Sequence, residues 1–430
     1  MNKHIKDLMS FLDNSPTSIQ AVQQIETRLL AKGFTRLDEN ESWHVKTGGK
    51  YYINRDDAAV VAFQIGSLSP MDGFHLAGAH LDSPCLKIKP ESEKRHGNFS
   101  QVGVEVYGSP IIATWFDRSL GLAGRAVWRE KGSKKAGKTQ ISPVNIARPA
   151  AIIPNAALHI NRKVNDGFEY NKQNHLQAII GDCETPADGS ILKNLVAGEL
   201  RIDAEQIVSM ELFVYETTKA ELNGSDASLL VSARQDDQTM SHAILSALLG
   251  VSKPNKTAIA VWYDHEEIGS MTRQGAFSTF LSGIMERLMM ALGLDREQQL
   301  IALRNSYLVS GDMAHAFLPA FAQNYDTDYA PRINQGIVIK SNINHKYATT
   351  LASKQRFIEV CEKAGVSWQE FLTRSDVPCG STIGPIAEAL NGVMTIDIGS
   401  PMWAMHSIRE TSGVHDHISL IKVLIEYYKQ

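Results

Sequence analysis

Apolar positions follow two rhythms along this chain. Near the amino terminus Ile19, Val22, Ile25 and Leu29 recur at helical spacing, with Ser15-Pro16 as a start and Gly33 as a stop, so a helix is predicted there. Beyond it the rhythm shortens to apolar runs of strand length at 58–65 and 74–79. Between about 90 and 230 short β-like runs (102–107, 111–116, 122–128 and 207–217) alternate with turn-rich segments, and little helical periodicity is visible. After Ser232 predicted helices (240–249 and 278–292) alternate with predicted strands (257–263, 307–310, 336–339 and 393–398). The pattern is that of an α/β protein interrupted by a mostly β insert.

Composition narrows the function classes. At 430 residues, 43% hydrophobic and 21% charged, the chain has material for a real core, and disorder or a collagen-like repeat is excluded. Lys plus Arg (43) nearly balances Asp plus Glu (47), a net charge of −4. That offers no basic stripe for nucleic acid and no cationic face for a membrane. No apolar run approaches the ~18 residues of a spanning helix. The first residues, MNKHIKD, lack the apolar stretch of a signal peptide. The four cysteines (Cys85, Cys183, Cys361 and Cys379) are far apart with no Cys-x-x-Cys pair. A disulfide scaffold or thiolate zinc site is therefore not expected, and a cytoplasmic location is.

Candidate chemistry collects where apolar strands end, the usual place for sites in open α/β sheets. The run AHLDSP places His80 and Asp82 two apart, on one side of an extended chain. His80 could ligate a metal while Asp82 accepts the other ring N–H, although a hydrogen-bonded turn histidine reads the same way. The strand 257–263 runs into Asp264-His265-Glu266-Glu267. Adjacent carboxylates at the mouth of a buried strand repel each other, and a cation resolves this: one ligates and its neighbour takes a proton from water. A solvated acidic turn is the bland alternative. The spacing is not that of a zincin helix, since Gly269 stands where a second histidine would be needed. Further polar clusters follow at 234–237 (RQDD), 310–315 (SGDMAH) and 405–410 (MHSIRE). Each alone is more often a helix cap than a ligand set. Together their histidines and carboxylates suit a pair of divalent ions sharing a bridging carboxylate, Zn²⁺ first, with Mn²⁺ or Co²⁺ as alternatives. One decoy competes. Residues 132–139, GSKKAGKT, match the P-loop pattern, but a P-loop must open a helix, and the QISPVNI that follows is β-branched and broken by Pro143. A lysine-rich hairpin is predicted there instead.

In order, AHLDSP, ARQDDQ, DHEEIGS, SGDMAHA, PCGSTIGPI and MHSIRE resemble the motif series of the aspartyl aminopeptidase family of dinuclear zinc aminopeptidases, and the resemblance extends over nearly the whole chain, FDRSLGLAGR included. It implies an α/β catalytic domain with a mixed central sheet flanked by helices (1–89 and 232–430) and an inserted β-rich dimerisation domain (90–231). It implies His80 and Asp312 on one metal, Glu267 and His406 on the other, and Asp236 bridging. Glu266 would be general base and acid, with Asp82 behind His80. His159 matches a histidine lent across a dimer interface, in dimers that assemble into a hollow tetrahedral dodecamer. Lys340 and Tyr347, in GIVIKSNINHKYAT, match positions lining a pocket for an acidic side chain, and His315 falls with them among the substrate-binding candidates. The sequence departs from relatives in having His265 before the Glu pair and Asp-Asp at 236–237, and neither change removes a ligand. The expected activity is release of amino-terminal Asp or Glu from peptides. The rivals are a neutral-residue aminopeptidase of the same family, a carboxypeptidase or deacylase with similar ligands, a P-loop ATPase at 132–139, and an assembly protein with a lapsed site.

Overall fold

A computed structural model describes residues 2–130, 139–182 and 190–430. The chain forms two compact units: Met1–Asp82, Ala220–Met405 and Glu410–Gln430 make the first, and Ser83–Lys219 with His406–Arg409 the second.

The first unit is built on a nine-stranded mixed sheet. At its centre Thr257–Tyr263, Phe74–His80, Tyr307–Gly311 and Met394–Gly399 lie side by side and parallel. Antiparallel Lys50–Arg55 and Ala59–Gln64 extend one edge, with Thr35–Arg36 outermost. Ile337–Lys340 and Trp368–Phe371 extend the other. Alternation explains why the sheet is covered on both faces. In Thr257–Tyr263, Ala258, Ala260 and Trp262 pack with the helices Ser18–Ala31, Gln235–Gly250, Leu351–Ala364 and Val414–Lys429. Ile259, Val261 and Tyr263 pack with Phe280–Ala291, Arg296–Arg304 and Ile383–Asn391. A smaller five-stranded sheet joins Glu221–Asn223, Leu229–Ser232, Glu410–Gly413, Pro401–Trp403 and Ala314–His315.

The second unit is a seven-stranded, largely antiparallel sheet with its own core, including Leu86, Val102, Leu122, Val144, Ala178 and Val214, closed by the helix Ile191–Leu200. Its limits differ from the expected 90–231. Cys85–Ile88 pairs with Phe99–Tyr107 and Ile207–Glu216, so the second unit begins earlier. Glu221–Asn223 and Leu229–Ser232 pair toward Glu410–Gly413, so it also ends earlier.

Other differences are local. The run 111–116 is not a strand: Ile112–Trp115 is a 3₁₀ turn that buries Trp115. The helix Ile191–Leu200 lies in the stretch where little helical periodicity is visible. A separate helix Lys3–Asp13 precedes Ser18–Ala31, which starts after Thr17 rather than at Ser15-Pro16. Most of the P-loop-like run lies outside the described residues, but Thr139 opens the strand Thr139–Ala151, where a phosphate loop would need a helix. No helix among the described residues is long and apolar enough to cross a membrane.

Candidate metal centre

His80 is the last residue of a central parallel strand, and its side chain is 1% exposed. Its Nδ1 lies 3.0 Å from the carbonyl oxygen of Asp82 and 3.4 Å from Asp82 Oδ1. A carbonyl only accepts, so Nδ1 carries a hydrogen, and Nε2 is the nitrogen left to serve a metal. Nε2 points at carboxylates: Asp236 Oδ1 at 3.6 Å and Glu266 Oε2 at 3.9 Å.

The carboxylate of Asp82 does more than face the ring. Oδ1 accepts the Glu266 N–H and Oδ2 the Glu267 N–H, each at 3.1 Å. These are the first N–H groups of the 3₁₀ turn Glu266–Ile268, entered through His265 in the left-handed region at φ 65°. One carboxylate thus fixes the turn that splits the Glu pair and also borders the imidazole. The sequence suggested only the second role.

Asp236 comes from the start of Gln235–Gly250, where Asp236 and Asp237 are not yet helical and the peptide between them is cis. The segment is anchored on all sides. Arg234, left-handed at φ 57°, donates to the Ser15 and Leu12 carbonyls. Gln235 donates to the carbonyls of Leu230 and Glu410. The buried Glu410 accepts the Asp236 N–H at 3.0 Å, and Asp237 accepts the His80 N–H at 3.1 Å. Glu410 and Asp237 were not singled out from the sequence. The signal was there, since each is an acid within a run of polar residues next to an apolar one.

The electrostatics are those of crowded negative charge. Burial, with the neighbouring Asp312, Asp82 and Asp236, pushes the Glu266 carboxyl up to about 8. Glu267 is raised well above the carboxylate range by burial and by Asp236, Asp82 and Glu266. Asp237 is raised by burial and by Asp312 and Asp236. Burial disfavours a charged His80, but Asp236, Asp237, Asp82 and Glu266 together hold its pKa well above the usual value. Each acid resists ionising because others are close, and a bound cation removes that conflict. The donor set fits one. His80 with Asp236 and Asp237, and His80 with Glu266 and Glu267, each offer ligand atoms within 4.8 Å of one another, and Asp236 and Glu267 come equally close. Nitrogen and oxygen donors without thiolate suit zinc or a neighbouring divalent metal.

The remaining candidates fall into groups. Asp312 follows the strand Tyr307–Gly311, with Oδ1 3.1 Å from Lys340 Nζ. Lys340 is not an exposed strand-end lysine. At 2% exposure it donates to Asp312 and, at 3.2 Å, to the Met313 carbonyl, with its Nζ 5.1 Å from the Tyr347 ring centroid. Burial alone would depress this ammonium, and Asp312 and Asp397 raise it instead. Asp397 is fixed by Ser310, by the Ala348 N–H and by Thr382 of the PCGSTIGPI run. Tyr347 and His315 both pack on the Phe371 ring, at 6.3 and 6.2 Å between centroids. In the second unit, His406 is left-handed (φ 68°), with Nδ1 3.1 Å from the Ser109 carbonyl oxygen. His159 is exposed there, between Leu158 (53% exposed) and Ile160 (82%).

Comparison with known proteins follows from this geometry. Residues 11–428 match the model of the family described as aminopeptidase I zinc metalloprotease (M18). A probable M18 family aminopeptidase 2 of Pseudomonas aeruginosa is 41% identical over 426 residues, 98% of this chain and 97% of that protein. One of the same description from Clostridium acetobutylicum is 40% identical, covering 98% of each. Among solved structures, a chain in the Ape4 and Nbr1 complex superposes with a TM-score of 0.94 at 34% identity, over 99% of this chain and 85% of that one. A chain of the mApe1 dodecamer of S. cerevisiae gives 0.86 at 26%, over 99% and 96%.

Proposed function

The chain belongs to the aminopeptidase I zinc metalloprotease (M18) family, and on that premise we propose that it removes aspartate and glutamate from the amino termini of peptides, using a pair of divalent ions. The supporting observation is the cluster of buried His80 and Asp236 with half-buried Glu266 and Glu267, in the same unit as a buried lysine. His80 and Asp312 would hold one ion, Glu267 and His406 the other, and Asp236 both. Zinc is the first choice, with manganese or cobalt as substitutes. When bound, such ions lower the pKa of an attacking water and polarise the scissile carbonyl. The chain supplies the rest. Asp82 keeps the Nδ1 hydrogen of His80 turned inward and holds the Glu pair in its turn. Glu266 takes the proton of the attacking water and passes it to the leaving amine.

The acidic preference rests on Lys340. An ammonium has three N–H donors, and Asp312 and Met313 take one each. On this reading the third serves a substrate carboxylate, with Tyr347 and His315 assigned to the wall of the same pocket. Because Asp312 already balances the charge, a neutral substrate forfeits one charge-assisted bond rather than stranding an isolated cation. That corresponds to a preference of roughly 10–100-fold in kcat/KM for Asp over Leu. Lys340→Met should collapse this ratio mainly by losing acidic substrates, as a panel of amino-acid amides would measure. An Asp-to-Leu ratio unmoved by Lys340→Met would favour the neutral-residue enzyme.

The assembly reading concerns His159. Its exposed apolar flanks, Leu158 and Ile160, suit a surface covered by a second copy. We take the second unit as the dimerisation domain, His159 as acting in the partner's site, and a tetrahedral dodecamer as the particle. Co-assembling a His159→Ala chain with a Glu266→Gln chain in equal amounts should then restore roughly a quarter of wild-type activity, because each hybrid dimer keeps one intact composite site. A fully active monomer in sedimentation would rule this out.

A further inference from the structure

His80 owes its position to the helix that begins at Gln235. Asp237 Oδ2 accepts the His80 N–H at 3.1 Å, and Ser241 Oγ donates to the His80 carbonyl oxygen at 2.8 Å. Asp237 and Ser241 are each 0% exposed; Asp237 stands in the non-helical entry to Gln235–Gly250 and Ser241 in the helix that follows it.

The sheet explains why that grip is needed. In a parallel strand the N–H and C=O of one residue turn to the same side, and the next residue turns to the other. Leu81 donates to the Tyr263 carbonyl, so the backbone of His80 faces away from Thr257–Tyr263 and toward Tyr307–Gly311. Pairing with Tyr307–Gly311, however, ends at Gly78 opposite Ser310. The His80 N–H and C=O would be buried without a strand to receive them, and two side chains of the helix take the place of that strand.

We infer that Asp237 and Ser241 are positioning residues that set the His80 imidazole against Asp236, so that ligands 156 positions apart in sequence move as one body. This rests on the metalloaminopeptidase reading above. Asp236 and the two gripping residues belong to one continuous segment, the helix and its entry, and His80 Nε2 ends 3.6 Å from Asp236 Oδ1. Loosening the grip leaves the strand end beyond Gly78 held on one side only, by Thr257–Tyr263, while the rest of the sheet stays paired, so metal affinity fails before the fold does. A competing role is direct ligation by Asp237, which lies within ligand distance of His80 and Asp236. The amide variant separates the two roles, because an amide oxygen still accepts the His80 N–H but is a poor substitute for a metal-binding carboxylate.

The test uses the full-length protein and reads zinc affinity by competition with a chromophoric chelator, alongside kcat, KM and melting temperature. Ser241→Ala and Asp237→Ala should each weaken zinc about 10–100-fold, the range for groups that orient a ligand, lowering kcat with little change in KM. Asp237→Asn should recover most of the affinity lost in Asp237→Ala. The inference is overturned if Asp237→Asn binds zinc as poorly as Asp237→Ala, or if Ser241→Ala binds as tightly as wild type. Should Asp237→Ala fail to fold, Ser241→Ala and Asp237→Asn decide the matter together. A wild-type chain that neither binds zinc nor cleaves peptides defeats the parent reading; a competent wild type with an unaffected Ser241→Ala defeats only this one.

Discussion

Replacing Glu266 by glutamine should reduce turnover by at least ~10³-fold while both metals stay bound, the loss expected when the group that moves the proton is removed. Glutamine preserves size and an oxygen but cannot take a proton. The backbone N–H of residue 266 would still reach Asp82, so the turn holding Glu267 survives the change. Burial and surrounding acids raise the Glu266 carboxyl when no cation is bound, so this is a carboxyl that holds a proton more readily than an exposed one. Metal content by mass spectrometry and kcat on an aspartyl amide settle the outcome. Near-normal turnover by Glu266→Gln would mean that another group moves the proton.

Asp236→Asn should be the more damaging change, because it removes metal and activity together. Asp236 lies between His80 and Glu267, and as the proposed bridge it serves both ions. Its backbone N–H is held by Glu410 and does not depend on the side chain, so the variant should fold. The expected result is a folded protein with zinc reduced at both sites and activity at background. His406→Ala should empty one site. Full zinc occupancy in Asp236→Asn would remove Asp236 from the bridging position.

The elements most legible in the sequence are those whose partners are close in the chain or whose pattern is unmistakable. Thr257–Tyr263 is one apolar run, and it is the observed strand to the residue. The acids and histidines at strand ends were visible because polar residues directly after buried strands demand an explanation. What escaped depends on distant partners. The segment 111–116 is as apolar as a strand but finds no ladder, and it turns to bury Trp115. The limits of the second unit are set by which strands Cys85–Ile88 and Glu221–Asn223 pair with, and local periodicity carries no such information. Lys340 reads as a lone cation until Asp312, 28 positions away, is seen beside it. The parts played by Asp237, Ser241 and Glu410 are hydrogen bonds across 157, 161 and 174 positions.

The interleaving of the first unit also dictates an order of events during synthesis. Residues 83–219 are contiguous and supply all but Ile408 of the second unit's buried apolar core, so most of that core is made before the chain reaches Ala220. The chain on either side must wait. Ala59–Gln64 and Phe74–His80 both await Thr257–Tyr263 as their common neighbour, and His80 awaits the helix that starts at Gln235. Until then the His80 strand is an open edge with a buried destination and no partner. The donors of the centre therefore cannot come together before the helix that starts at Gln235 has been made, and a nascent chain cut short before residue 235 has no place in which to hold a metal between His80 and Asp236.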